Sequence, residues 1–156
     1  MMKVFQFVII GLLLVILSAC DANRVFDEYQ PIFEESWHKD SSLVFTIPIT
    51  DTIQNHNLYL NVRNDINYGF SNLWLFIDIE QPNGIARRDT FEMALANPSG
   101  KWLGEGFGGY KTRQSIYRRN VFFPNSGDYK ISIQQGMRPT QLEGISDVGL
   151  RVEKME

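Results

Sequence analysis

The chain has 156 residues and carries 15 Lys and Arg against 18 Asp and Glu, a formal charge of −3. That balance offers no footing for nucleic-acid binding, which wants a basic face. Its single cysteine rules out an internal disulfide, so an oxidising compartment is permitted but not exploited.

The first residues, Met1-Met2-Lys3, give way to an apolar run from Val4 to Leu17, broken only by Gln6 and Gly11. That run is short of the roughly 20 apolar residues needed to cross a bilayer. One positive residue, a short apolar stretch and small residues before a cut site read as a secretory signal. Leu17-Ser18-Ala19-Cys20 resembles the lipobox of bacterial lipoproteins, which implies a diacylglyceryl group on the Cys20 thiol and cleavage just before it. Residues 1–19 are thus expected as a cleaved signal peptide, leaving a mature chain from Cys20. Losing Lys3 shifts the formal charge from −3 to −4. Two or more acyl chains hold a protein firmly where a single one binds only marginally. The alternatives are an uncleaved anchor helix, or a non-lipoprotein signal with a cysteine there by chance. Residues 20–36 lack clean alternation and are expected as a lipid-anchored tether, although Phe26, Tyr29 and Phe33, with Trp37 just beyond, argue that part of it packs down.

From residue 37 to 156 the chain reads as one domain with its own core. Leu43, Phe45, Ile47 and Ile49 alternate with Val44, Thr46, Pro48 and Thr50. The same period of two recurs at 57–63, 73–80, 129–134 and 148–153, with weaker strands expected at 90–95 and 117–123. It marks strands with one buried and one wet face. Turn signals such as Pro82-Asn83-Gly84 and Asn125-Ser126-Gly127-Asp128 separate the runs. The expected fold is all-β, a single antiparallel β-sandwich of about seven strands. Pro48 cannot donate to a ladder, so the first of these strands is expected either at an edge or bulged.

The polar inventory is poor for catalysis. His38 and His56 read as surface histidines flanking strands, and no spacing suits zinc or a calcium loop, so neither metal nor cofactor is expected. Asp78 and Glu80 share a strand face, but solvent-facing strand positions are commonly charged. Gly104-Glu105-Gly106-Phe107-Gly108-Gly109-Tyr110-Lys111 nearly spells a phosphate-binding loop, yet Tyr110 separates the last glycine from the lysine. With no helix to follow, it reads as a mobile connection needing positive φ at several points. Lys111, Arg113, Arg118 and Arg119 gather with Tyr110 and Tyr117 as a first guess for a contact surface. Trp74, Phe76 and Trp102 offer either a platform for sugars or core packing.

Several stretches carry a family resemblance. They are Asn57-Leu58-Tyr59-Leu60-Asn61-Val62-Arg63-Asn64, Tyr68 with Ser71-Asn72-Leu73-Trp74-Leu75, Asp89-Thr90, Gly100-Lys101-Trp102-Leu103-Gly104 and Phe123-Pro124. The C-terminal run is the most specific: Gln135-Gly136-Met137-Arg138, Leu142, Gly144-Ile145 and Asp147 to Lys154. In these the chain resembles the gliding-motility lipoprotein H (GldH) family, with Gly136 a mild departure where alanine is expected. The resemblance implies a membrane-attached component of gliding machinery, overlapping type IX protein secretion, with no catalytic residues and Cys20 as the lipid attachment site. It implies attachment through acyl chains to the inner or outer membrane, a domain facing the periplasm, and partners among gliding and secretion proteins. A carbohydrate-binding envelope lipoprotein and an envelope hydrolase are the competing readings.

Overall fold

A computed structural model describes residues 21–155. The expected signal peptide, residues 1–19, and Cys20 therefore lie outside the described residues. Among the described residues ten strands run in chain order: β1 (Arg24–Pro31), β2 (Ser36–His38), β3 (Ser42–Ile49), β4 (His56–Asp65), β5 (Asn72–Glu80), β6 (Ala86–Ala94), β7 (Tyr110–Val121), β8 (Gly127–Gln135), β9 (Gln141–Glu143) and β10 (Ile145–Lys154). Two four-stranded antiparallel sheets, in the orders β1-β10-β4-β7 and β3-β8-β5-β6, pack as a sandwich, with β2 and β9 forming a small separate ribbon.

The period-two residues do what alternation requires. Phe45, Ile47 and Ile49 of β3 and Leu73, Leu75 and Ile77 of β5 face inward and meet Leu58, Leu60 and Val62 of β4 and Val148, Leu150 and Val152 of β10 across the core. Strand β3 lies at a sheet edge, so Pro48 deprives no interior ladder of a donor.

Part of the expected tether is structured. Residues 24–31 form β1 and pair along β10 from Arg24↔Glu153 to Pro31↔Asp147. Only Phe26 of this strand is buried, its ring edge-on to Phe45 at 6.4 Å. An edge strand with one core contact gives no alternation to read, yet the folded body begins at its first residue. The chain ahead of it is also fixed. Asp21 pairs with Arg151, the Asn23 carbonyl accepts from the Lys154 amide at 2.8 Å, and Arg151 further holds Asp27 (2.7 Å) and Glu153 (2.5 Å).

Strand β7 is bulged twice against β4. Tyr117 has no opposite number between the pairs Leu58↔Arg118 and Tyr59↔Ile116, and a second irregularity falls between His56 and Leu58. At the latter, Asn120 takes φ of 57°, a conformation asparagine tolerates better than most residues, and its amide donates to Asn57 Oδ1 at 3.1 Å.

Candidate contact surfaces at the two ends of the sandwich

The structure disperses the basic cluster read from sequence. Lys111 and Arg113 stand opposite Asn64 and Val62, on the inward face of edge strand β7. Lys111 donates to the Gly106 carbonyl at 2.6 Å, and the Arg113 Nε is buried. Tyr117 and Arg118 reach across to β6 instead. The Tyr117 hydroxyl (2.9 Å) and an Arg118 guanidinium nitrogen (2.6 Å) both donate to Asp89 Oδ2, while the Tyr117 ring meets Phe91 edge-on at 5.4 Å. Burial, helped by that carboxylate, pushes the Tyr117 hydroxyl up to about 12. This clasp closes the open edges of the two sheets. Arg119 is left near Arg87 and Arg88 at the rim of a groove of ≈ 630 Å³ floored by Phe123, Tyr129 and Ile131.

The remaining sequence candidates separate similarly. Asp78 is held by Arg88 through two contacts of 2.7 and 2.6 Å, which lower its pKa, so it is an ion-pair partner on an outer sheet face. Among the described residues no group of three or more His, Cys, Asp or Glu is placed to hold a metal. The glycine-rich stretch takes positive φ at Gly106 and Gly108, as expected, but it is stapled to β7 by reciprocal bonds between Glu105 and Thr112 of 2.9 and 2.7 Å. A Cβ on Gly104 would lie 2.8 Å from the Thr112 carbonyl oxygen, so the close approach admits only glycine. Trp74 and Phe76 share an outward sheet face with Phe70 and Met137 around a groove of ≈ 560 Å³, whereas Trp102 packs against the core elsewhere.

His56 corrects the reading of two surface histidines. His38 is exposed beside Asp40, but His56 is buried at 0% exposure with its ring 5.2 Å from Phe123. It shares parity with Leu58, Leu60 and Val62, so as the first residue of β4 it points into the core.

The exposed apolar side chains gather mostly at the two ends of the sandwich. One end holds the start of β1, the end of β10 and the loops 50–55, 81–85 and 122–126. These are tied by Asp51–Lys154 at 3.2 Å, by the Met155 amide donating to the Asn55 carbonyl, and by Asn125 donating to Gln81. Ile53, Ile85 and Phe122 are exposed here, in a region whose first described residue, Asp21, follows Cys20 directly. We term it the anchor end. The distal end carries the loops after β1, β4 and β6, joined by backbone bonds from Ile66 to Gly109 and from Gly144 to Glu35. Phe33 (82%) and Phe107 (102%) stand out there, with Ile66, Phe70, Trp74 and Leu103 also exposed. The chain reaches Phe33 through buried Ile32 and leaves it through Glu34 and Glu35, both at positive φ (51° and 54°). Such conformations cost on the order of 1–3 kcal/mol each for residues with a Cβ and persist only where the surroundings enforce them.

A family profile described as GldH lipoprotein matches residues 24–152, nearly all of the folded body. The chain belongs to the GldH lipoprotein family. It is 42% identical to the gliding motility lipoprotein GldH homolog of Christiangramia forsetii, over 100% of this chain and 99% of that protein. It is 40% identical to the gliding motility lipoprotein GldH of Flavobacterium johnsoniae, over 91% of this chain and 92% of that protein. Among solved structures it is similar to dimeric latent PorU from Porphyromonas gingivalis, with a TM-score of 0.36, 11% identity and coverage of 88% of this chain and 14% of that one. It is also similar to TmCBM61 in complex with β-1,4-galactotriose, with a TM-score of 0.33, 10% identity and coverage of 83% and 88%. Superpositions that loose say nothing about what the chain binds. GldH membership makes it a gliding-motility lipoprotein of the cell envelope. No helix among the described residues is long and apolar enough to cross a membrane.

The buried histidine gives this GldH chain a testable pH response. Burial lowers the His56 pKa, Lys154 adds to the effect and Asp51 opposes it. Unfolded imidazole takes up a proton as pH falls through about 6.5, while the folded form resists until lower pH. Stability is thus complete above that value and declines as pH falls toward the depressed one. Asp51, held down to about 2 chiefly by the amides of Ile53 and Gln54, acts in a separate and more acidic window. Melting followed by circular dichroism should drop between pH 7 and 5 in the natural protein and less in His56→Phe. Parallel drops in both would contradict the assignment.

Proposed function

We propose that this protein is a membrane-anchored, non-catalytic component of the gliding machinery, linked to type IX secretion, that works by presenting its distal end to protein partners. Cys20 carries the lipid, and the domain faces the periplasm. One observation supports the partner-binding part above others: six large apolar side chains, Phe33, Ile66, Phe70, Trp74, Leu103 and Phe107, are exposed around the end opposite the anchor. Exposed apolar side chains gathered at one end of a domain are characteristic of interaction sites, and aromatic anchors commonly dominate their energetics. The link to type IX secretion rests on the family resemblance, as does the absence of catalysis.

A carbohydrate-binding reading draws on Trp74 and Phe76, which flank the distal groove with Phe70. It loses Trp102 as a third ring, since that side chain packs against the core. The protein-contact reading uses all six exposed side chains and is preferred. Deleting the gene from a gliding host should abolish colony spreading on agar, with restoration by the intact gene. Normal spreading of the deletion strain would overturn the proposal.

A further inference from the structure

The anchor end has a job beyond marking where the lipid leaves the fold. We propose that it seats directly on the bilayer, placing Ile53, Ile85 and Phe122 at the headgroup–acyl boundary and Arg87 and Arg119 at lipid phosphates. The inference rests on the reading of Cys20 as acylated.

The length of free chain is the first support. Asp21 follows Cys20 immediately, and adjacent Cα atoms are only about 3.8 Å apart. Asp21 is itself clamped to Arg151, and its carbonyl accepts from the Arg24 amide at 3.3 Å. A lipid on Cys20 therefore leaves the sandwich no spacer with which to stand off from the headgroups. Such tethering also raises the effective concentration of every neighbouring side chain at the membrane.

The composition of the loop tips is the second. Ile53 is 87% exposed and Phe122 is 55% exposed, on separate loops, with Ile85 on a third. Loop tips facing water are served by polar residues, as Asn83 and Ser126 show on two of these same loops. Three apolar tips on one end suit the apolar side of a bilayer boundary, where aromatic rings are favoured.

Charge is the third. Arg151 is shared by Asp21, Asp27 and Glu153, while Asp51 and Asp89 are matched by Lys154 and Arg118. Glu80 lies across the ladder from Lys130, and Asp128 and Arg24 add one charge of each sign. Arg87 and Arg119 make no ion pair among the described residues and line the groove that Phe122 flanks. The end as a whole is close to balanced, and the positive charge without a carboxylate partner is local to this groove rim, where it is complementary to phosphate.

The three tryptophans provide an internal control. Trp37, Trp74 and Trp102 sit on β2, early in β5 and beyond the end of β6, all toward the distal end. Full-length lipoprotein, purified from membranes, would be reconstituted into vesicles of phosphatidylcholine and phosphatidylglycerol bearing brominated acyl chains. The added emission of Phe122→Trp should be quenched, while the natural protein's emission is unchanged. Ile53→Trp serves as a second reporter if Phe122→Trp folds poorly. Exchanging phosphatidylglycerol for phosphatidylcholine, or introducing Arg87→Glu with Arg119→Glu, should reduce the quenching. Protein that floats with the vesicles but shows no quenching of either reporter, or equal quenching of the native tryptophans, overturns the seating. Protein that fails to float overturns the lipid anchor and the seating with it.

Discussion

Cells making Cys20→Ala should accumulate an uncleaved precursor that takes up no labelled palmitate, and their colonies should spread no better than the deletion strain. The thiol is the acceptor that lipobox chemistry requires, and the chain has no other cysteine to substitute for it. Each acyl methylene buried in the bilayer contributes roughly 0.8 kcal/mol, so losing the chains removes most of the attraction that keeps the domain in place. The side chains at the anchor end would remain but lose the tether that concentrates them at the surface. The folded body should be unaffected, because it starts at Arg24 and draws its core from residues 26–152. Palmitate entering the variant at the natural level would disprove the lipidation of Cys20. Natural spreading by an unlipidated protein would disprove its importance.

The sequence exposed the long strands because each buries a full row of every second residue. In β5, Leu73, Leu75 and Ile77 are buried while Trp74 on the opposite face is exposed. Strand β1 was illegible because it buries only Phe26, and β2 and β9 because three residues are too few to establish a period. The burial of His56 was available in principle, since it shares parity with Leu58, Leu60 and Val62. Histidine is polar and only intermediate in burial, so at a strand's first residue its parity carries little weight.

The basic side chains part company in the fold for a different reason. Neighbours in sequence along an edge strand alternate between faces, and two bulges in β7 then rotate Tyr117 and Arg118 toward β6. The partners that resulted, Asp89 and Phe91, lie more than twenty residues away and leave no local signal. The apolar ends were invisible for a related reason. Phe33, Ile53, Phe107 and Phe122 sit in loops without periodicity, and only the topology sorts them into two groups at opposite ends.

That sorting leads to the second large effect. Phe33→Ser combined with Phe107→Ser should leave the protein folded and membrane-bound yet reduce spreading to the level of the deletion strain. Both side chains project into solvent, and surface substitutions away from special features usually shift stability by no more than about 0.5 kcal/mol. Aromatic anchors at a protein contact can each be worth roughly 2 kcal/mol or more, and removing two would weaken a partner by several hundredfold or more. A purely structural role for the distal end would place the loss in the melting temperature; a contact role places it in motility alone. The decisive measurement is colony spreading by cells carrying this double variant, read beside its melting temperature and membrane-bound amount. Lost spreading with both of those unchanged is the predicted result. Natural spreading would contradict the assignment of the distal end as the working surface.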